Sequence, residues 1–177
     1  MKEPNWPSCS EKQLWEYVAS YLASNGIQTV MVGGSVVAIY SNGLYQSGDI
    51  DLIQSDVTRA TLTDVLKEIS FYPEGRLFRH PLCPHLYLDF PPGPVAIGDD
   101  YHIQPEEQEI NGQVIQLLSP TDCIKDRLAS YIHFGNRDTL DQAVLVGQKQ
   151  RVNKKEIKIW CDNESRPDAY SDWLRLL

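Results

Sequence analysis

Apolar and polar positions along this chain repeat with two different periods, and the elements follow from where the period changes. Leu14, Val18, Tyr21 and Leu22 recur at helical spacing behind a Ser10-Glu11-Lys12-Gln13 capping box, which predicts a helix ending at Asn25-Gly26. Ile27 to Val32 is short and β-branched, hence a strand, and Gly33-Gly34-Ser35 breaks it. Val36 to Ser41 forms a short helix stopped by Asn42-Gly43, and Ile50 to Ile53 a second strand introduced by Ser47-Gly48-Asp49. Thr58 to Ile69 is amphipathic, with Leu62, Val65, Leu66 and Ile69 on one face. Leu86 to Phe90 reads as a third strand closed by Pro91-Pro92-Gly93. Asn111-Gly112, between Glu109-Ile110 and Gln113 to Leu118, predicts a hairpin because Asn-Gly suits a type I′ turn.

From Ser119-Pro120-Thr121-Asp122 onward the period is helical, over Cys123 to Phe134, Leu140 to Gln148, Lys154 to Cys161 and Tyr170 to Leu177. The expected fold is α/β (α+β): a mixed, twisted sheet flanked by helices over residues 1–118, with a C-terminal helical cap over 119–177 packed on it. With 177 residues, 42% hydrophobic and 23% charged, the chain has globular composition, which excludes disorder, collagen and coiled coil. No apolar run is long enough for a membrane span and no signal-peptide core follows the N-terminus, so no membrane partner is expected.

The chemistry concentrates in Val30-Met31-Val32-Gly33-Gly34-Ser35 and Ser47-Gly48-Asp49-Ile50-Asp51-Leu52. Alternate residues of a strand share a face, so Asp49 and Asp51 project together while Ile50 and Leu52 point to the core. Side-by-side carboxylates repel unless a cation lies between them, and oxygen-only ligands suit Mg²⁺ or Mn²⁺. A strand that ends in Gly33-Gly34-Ser35 and enters a helix presents backbone N–H groups to an anion, and the Ser35 hydroxyl adds a donor. Neither a Walker A loop nor a dinucleotide fingerprint is present.

A glycine turn followed, 14 residues after Ser35, by Asp-Ile-Asp resembles the signature of minimal nucleotidyltransferases of the DNA polymerase beta superfamily. The resemblance implies that Asp49 and Asp51 hold Mg²⁺ (or Mn²⁺), with Asp89 of Leu86-Tyr87-Leu88-Asp89-Phe90 as third ligand and activator of the incoming hydroxyl. Asp99 and Asp100 are rival third carboxylates in a loop. Gly33, Gly34 and Ser35 would bind the nucleotide phosphates. Ser119 to Leu128, followed by Arg137-Asp138-Thr139-Leu140-Asp141, is similar to the abortive-infection (AbiEii-type) toxin nucleotidyltransferases. That likeness, which covers residues 27 to 146, implies catalytic and phosphate-binding roles for Lys125, with Asp141 orienting it or closing the nucleotide site.

The implied activity is nucleotidyl transfer from an NTP to a hydroxyl acceptor (RNA such as tRNA, protein or small molecule), in a toxin–antitoxin or phage-defence setting with an antitoxin protein as partner. Two rivals stand beside it: a catalytically degenerate relative that binds nucleotide or a partner, and an antibiotic-type enzyme acting on a small molecule. The net charge of −8 favours a cationic acceptor over nonspecific nucleic-acid binding. Lys149, Arg151, Lys154, Lys155 and Lys158 read as a solvated helix face, with an RNA track as the other reading. Arg76 and Arg79, near Glu74-Gly75, read as solvated, with triphosphate binding as the other reading. His133 reads as packed beside Tyr131 and Phe134. Cys9, Cys83, Cys123 and Cys161 form no CxxC pair and His80, His85, His102 and His133 no ligand set, which predicts buried thiols in a cytoplasmic protein without zinc.

Overall fold

A computed structural model describes residues 1–177 as a mixed sheet flanked by helices. The strands are β1 (Val30–Val32), β2 (Asp49–Ile53), β3 (Tyr72–Glu74), β4 (Leu77–His80), β5 (Cys83–Asp89), β6 (Glu106–Ile110) and β7 (Gln113–Leu117). They join in one seven-stranded sheet of order β3-β4-β5-β2-β1-β7-β6. The helices are α1 (Glu11–Ser24), α2 (Gly33–Tyr40), α3 (Arg59–Glu68), α4 (Pro120–Phe134), α5 (Arg137–Lys149), α6 (Lys154–Asn163) and α7 (Pro167–Leu176). β2 is the central strand, antiparallel to β1 and parallel to β5.

Local chemistry accounts for the element ends. The Ser10–Gln13 capping box forms as the sequence predicts. Ser119 caps α4, with Pro120 in its first turn, and Gly135 ends that helix in the left-handed region at φ 66°. The Asn111-Gly112 turn joins β6 to β7. Three strand expectations change. The first strand is only Val30–Val32, the third reaches back to Cys83, and β3 and β4 form a hairpin that the sequence pattern does not announce.

One hydrophobic core runs through the molecule. Ile50, Leu52, Leu86 and Leu88 of the sheet belong to the same cluster as Leu14 and Trp15 of α1, Leu128 and Leu140 of the helical region, and Trp160 and Trp173 near the C-terminus. Polar ties cross the 118/119 boundary as well. Trp160 Nε1 donates to the Ile97 carbonyl at 3.1 Å, and Gln150 Nε2 to the Tyr40 carbonyl at 2.8 Å.

Candidate active site

β2 alternates as its sequence predicts: Ile50 and Leu52 are fully buried, while Asp49 and Asp51 sit half-buried on the opposite face. β5 runs parallel beside it in a register that sets Asp51 next to Asp89 and Asp49 next to Tyr87. All three carboxylates therefore lie on one face of adjacent central strands. The cost is electrostatic. Burial first, then the charges of Asp49 and Asp89, raise the Asp51 pKa to about 7, with Arg127 pulling the other way.

The glycine turn is built against these acids. Gly33 has φ 75°, and a side chain there would run into the Asp51 carboxylate. A Cβ on Gly34 would come within 2.6 Å of Ser47 Oγ and 3.3 Å of the Tyr45 hydroxyl. The space the two glycines leave is thus taken by Asp51 and by the loop before β2. No side chain caps the N-terminus of α2, so its first amides have no partner within the helix. Ser35 differs from expectation: it is fully buried and its hydroxyl donates to the Val32 carbonyl at 3.2 Å, inside the turn. Its backbone remains at the helix start while its hydroxyl does not face outward.

Ser47 is the serine that meets the acids. Its hydroxyl donates to Asp49 Oδ1 at 2.9 Å, and its own backbone N–H donates to Glu11 Oε1 of α1 at 3.0 Å. Asp89 is nearly buried. Its Oδ1 accepts the Phe90 N–H at 2.9 Å and its Oδ2 holds Arg76 Nη2 at 2.9 Å. With Asp89 so engaged, the three carboxylates adjoin without converging: no three acidic, histidine or cysteine side chains of the chain are close enough to enclose an ion in this conformation. The donor set still has the character of a hard-cation site, being all oxygen, like-charged, and including one carboxylate that burial holds back from ionising.

Residues 11–72 match a family model described as a nucleotidyl transferase of unknown function (DUF2204). The match takes in Gly33, Gly34, Asp49 and Asp51 and stops before Asp89. A nucleotidyltransferase-like antigenic protein from Paracoccidioides brasiliensis superposes with a TM-score of 0.62 at 19% identity, over 94% of this chain and 93% of that one. The fold is the one these nucleotidyltransferase-like structures have. The antibiotic-resistance factor ANT(2″)-Ia shares it: its solution structure gives a TM-score of 0.59 at 14% identity over 91% of this chain and 94% of that one. Its crystal structure with adenylyl-2″-tobramycin gives 0.59 at 12% over 86% and 95%. No functionally curated protein matches by sequence.

Within this fold, Lys125 is not gathered with the acids of β2 and β5. It is buried against Asp122 at 2.6 Å, Glu156 at 2.9 Å and Asp100 at 3.5 Å, an ion cluster that ties α4 to α6 and to the 97–100 loop. Burial pulls its pKa down, but the bonds from Asp122 and Glu156 outweigh that and leave it raised. Asp100, a rival for the third carboxylate, is thereby a partner of Lys125. A hollow of about 340 Å³ opens beside this cluster, lined by Asp99, Asp100, His102, Glu156 and Glu164 among others. Asp141 is exposed on α5 and lines a different hollow of about 350 Å³ with Tyr45, Asp138 and Gln142. Through Tyr45, that hollow borders Gly34.

Four further residues around the acidic face escape sequence reasoning. Glu11 reads as helix capping, Ser47 as a turn residue and Arg76 as solvated. Arg127 is partly buried, bonds Asp126 and Gln142, and is the cation that acts on Asp51. The one available signal was position: Ser47 stands two residues before Asp49, where a hydroxyl reaches a carboxylate.

Proposed function

We propose that this protein transfers a nucleotidyl group from an NTP to a hydroxyl acceptor. The observation that carries the reading is the acidic face itself: Asp49, Asp51 and Asp89 side by side on central strands, abutting a glycine turn at an uncapped helix start. Asp49 and Asp51 would hold Mg²⁺ or Mn²⁺, with Asp89 joining once Arg76 releases it. When bound, the ion neutralises phosphate charge and makes the acceptor hydroxyl more acidic.

The chain's own contributions follow from the geometry. The amides at the start of α2 bind phosphate oxygens. Ser47 orients Asp49, and Gly33 lets Asp51 approach the turn. Asp89 takes the acceptor proton. The acceptor oxygen then forms a bond to the α-phosphorus as the bond to pyrophosphate breaks. Asp141, beside the Tyr45 hollow, closes the nucleotide side. In radiolabel transfer from an α-labelled NTP with Mg²⁺, Asp49→Ala and Asp51→Ala should each lower the rate on the order of 10³-fold. Activity that survives both changes rules the site out.

A small cationic acceptor is the second reading, favoured by the net charge of −8 and by the acidic hollow beside Lys125. The shared fold with ANT(2″)-Ia, solved with adenylyl-2″-tobramycin, points the same way. The toxin reading, with RNA or protein as acceptor and an antitoxin as partner, rests on Lys125 and Asp141, and the ion cluster around Lys125 lends it no support. Thermal-shift screening of cationic small molecules against tRNA separates the two acceptor classes.

A further inference from the structure

We infer that Arg76 is the resident counter-ion of Asp89, a positioning residue that a divalent cation must displace to complete the acidic face, so that this arginine sets the threshold for metal binding. The inference rests on the nucleotidyl-transfer reading of that face. It starts from an asymmetric ion pair. The Asp89 side chain is 8% exposed and the Arg76 side chain 79%, yet their charged atoms meet at 2.9 Å. Arg76 has no other side-chain partner. Its neighbour Arg79 is turned to Glu74 at 3.2 Å and to the Tyr87 hydroxyl, so no second cation shares Asp89.

The backbone beneath Arg76 is held while its side chain is free. Arg59 donates to the Gly75 carbonyl at 3.1 Å and to the Arg76 carbonyl at 2.9 Å, which pins the turn between β3 and β4. Gly75, at φ 64°, allows that turn. The guanidinium therefore reaches the buried carboxylate from a fixed pivot and can swing into solvent without moving the sheet.

Both oxygens of Asp89 are engaged, Oδ1 by the Phe90 N–H and Oδ2 by Arg76. A cation drawn to Asp49 and Asp51 finds the third carboxylate already neutralised, and two cations on one carboxylate oxygen repel. Occupation of Asp89 by Arg76 and by a metal is mutually exclusive. The three acids adjoin in register, yet no three of them enclose an ion while this contact stands.

The test is direct binding of Mn²⁺, followed by electron paramagnetic resonance without nucleotide, to the wild type, Arg76→Ala, Arg76→Gln and Asp51→Asn. Because the Arg76 side chain lies mostly in solvent, both arginine variants should fold, which circular dichroism verifies. Both should bind Mn²⁺ about three- to tenfold more tightly than the wild type, the modest range of a partly exposed ion pair. Asp51→Asn should bind much more weakly. Wild-type binding that Asp51→Asn loses, with unchanged or weaker affinity in both arginine variants, overturns the inference and leaves the metal site standing. Binding no stronger in the wild type or in the Arg76 variants than in Asp51→Asn removes the metal site, and the inference falls with it.

Discussion

Asp51 carries opposing demands. In the proposed reading its place beside Gly33 and Asp89 serves a cation, yet burial and two neighbouring carboxylates hold its pKa at about 7, against 3.8 ordinarily. Between those values the folded chain keeps a proton that the unfolded chain gives up. The contribution of Asp51 to stability then declines as pH rises from about 4 to 7, since its folded form binds the proton more tightly. With metal chelated, the melting temperature of the wild type should fall by several degrees across this window relative to Asp51→Asn, which cannot ionise. Equal pH profiles for the two proteins would show that Asp51 titrates normally. The shared face of Asp49 and Asp51 was legible from period-two spacing, while their reading as a site leaned on the glycine turn upstream. Arg76 and Arg127 were not, because nothing in their local sequence says which distant carboxylate a long side chain reaches.

The element scale shows why some structure was readable and some hidden. β2 and α4 announce themselves, the first by alternation and the second by Ser119-Pro120. β3 is exposed at all three positions and includes Pro73, and β6 is Glu-rich and mostly exposed, so neither shows a hydrophobic period. Both are edge strands, formed because a partner strand supplies hydrogen bonds and not because their side chains bury. The resemblance gave Lys125 to the nucleotide, yet it lies where α4, α6 and the 97–100 loop meet. Removing it strips the counter-charge from Asp122, Asp100 and Glu156. Because Glu156 is half exposed, Lys125→Met should cost about 2–3 kcal/mol, read from chemical denaturation, and leave nucleotide affinity nearly unchanged. Normal stability with lost NTP binding would return Lys125 to the nucleotide.

For the whole molecule, the boundary expected at residue 118 separates patterns in the sequence but does not divide the core. Gln150 at the end of α5 donates across that boundary to the Tyr40 carbonyl at 2.8 Å, Trp160 donates across it to the Ile97 carbonyl at 3.1 Å, and one apolar cluster spans both sides. Calorimetry should therefore show a single unfolding transition, and a fragment of residues 1–118 should fail to fold, lacking Leu128, Leu140, Trp160 and Trp173. Two separate transitions would instead make the helical cap an autonomous unit. No helix is long and apolar enough to cross a membrane, and all four cysteines are buried and unpaired. The class of fold was legible because strand and helix periods alternate along the first 118 residues and only the helical period follows. The packing of the cap on the sheet was expected, but which helix faces make it was not legible, because one helix face looks alike whether it covers a sheet or another helix.

Glu11 stands 38 positions upstream of Asp49, yet it grips Ser47, which in turn aims Asp49. The first turn of the leading helix is by this chain of contacts a remote brace for the proposed chemistry. Trimming or re-engineering the amino-terminal dozen residues, a routine choice when a protein is shortened or tagged, would misalign a carboxylate that no inspection of the glycine–aspartate signature connects to that end of the polypeptide.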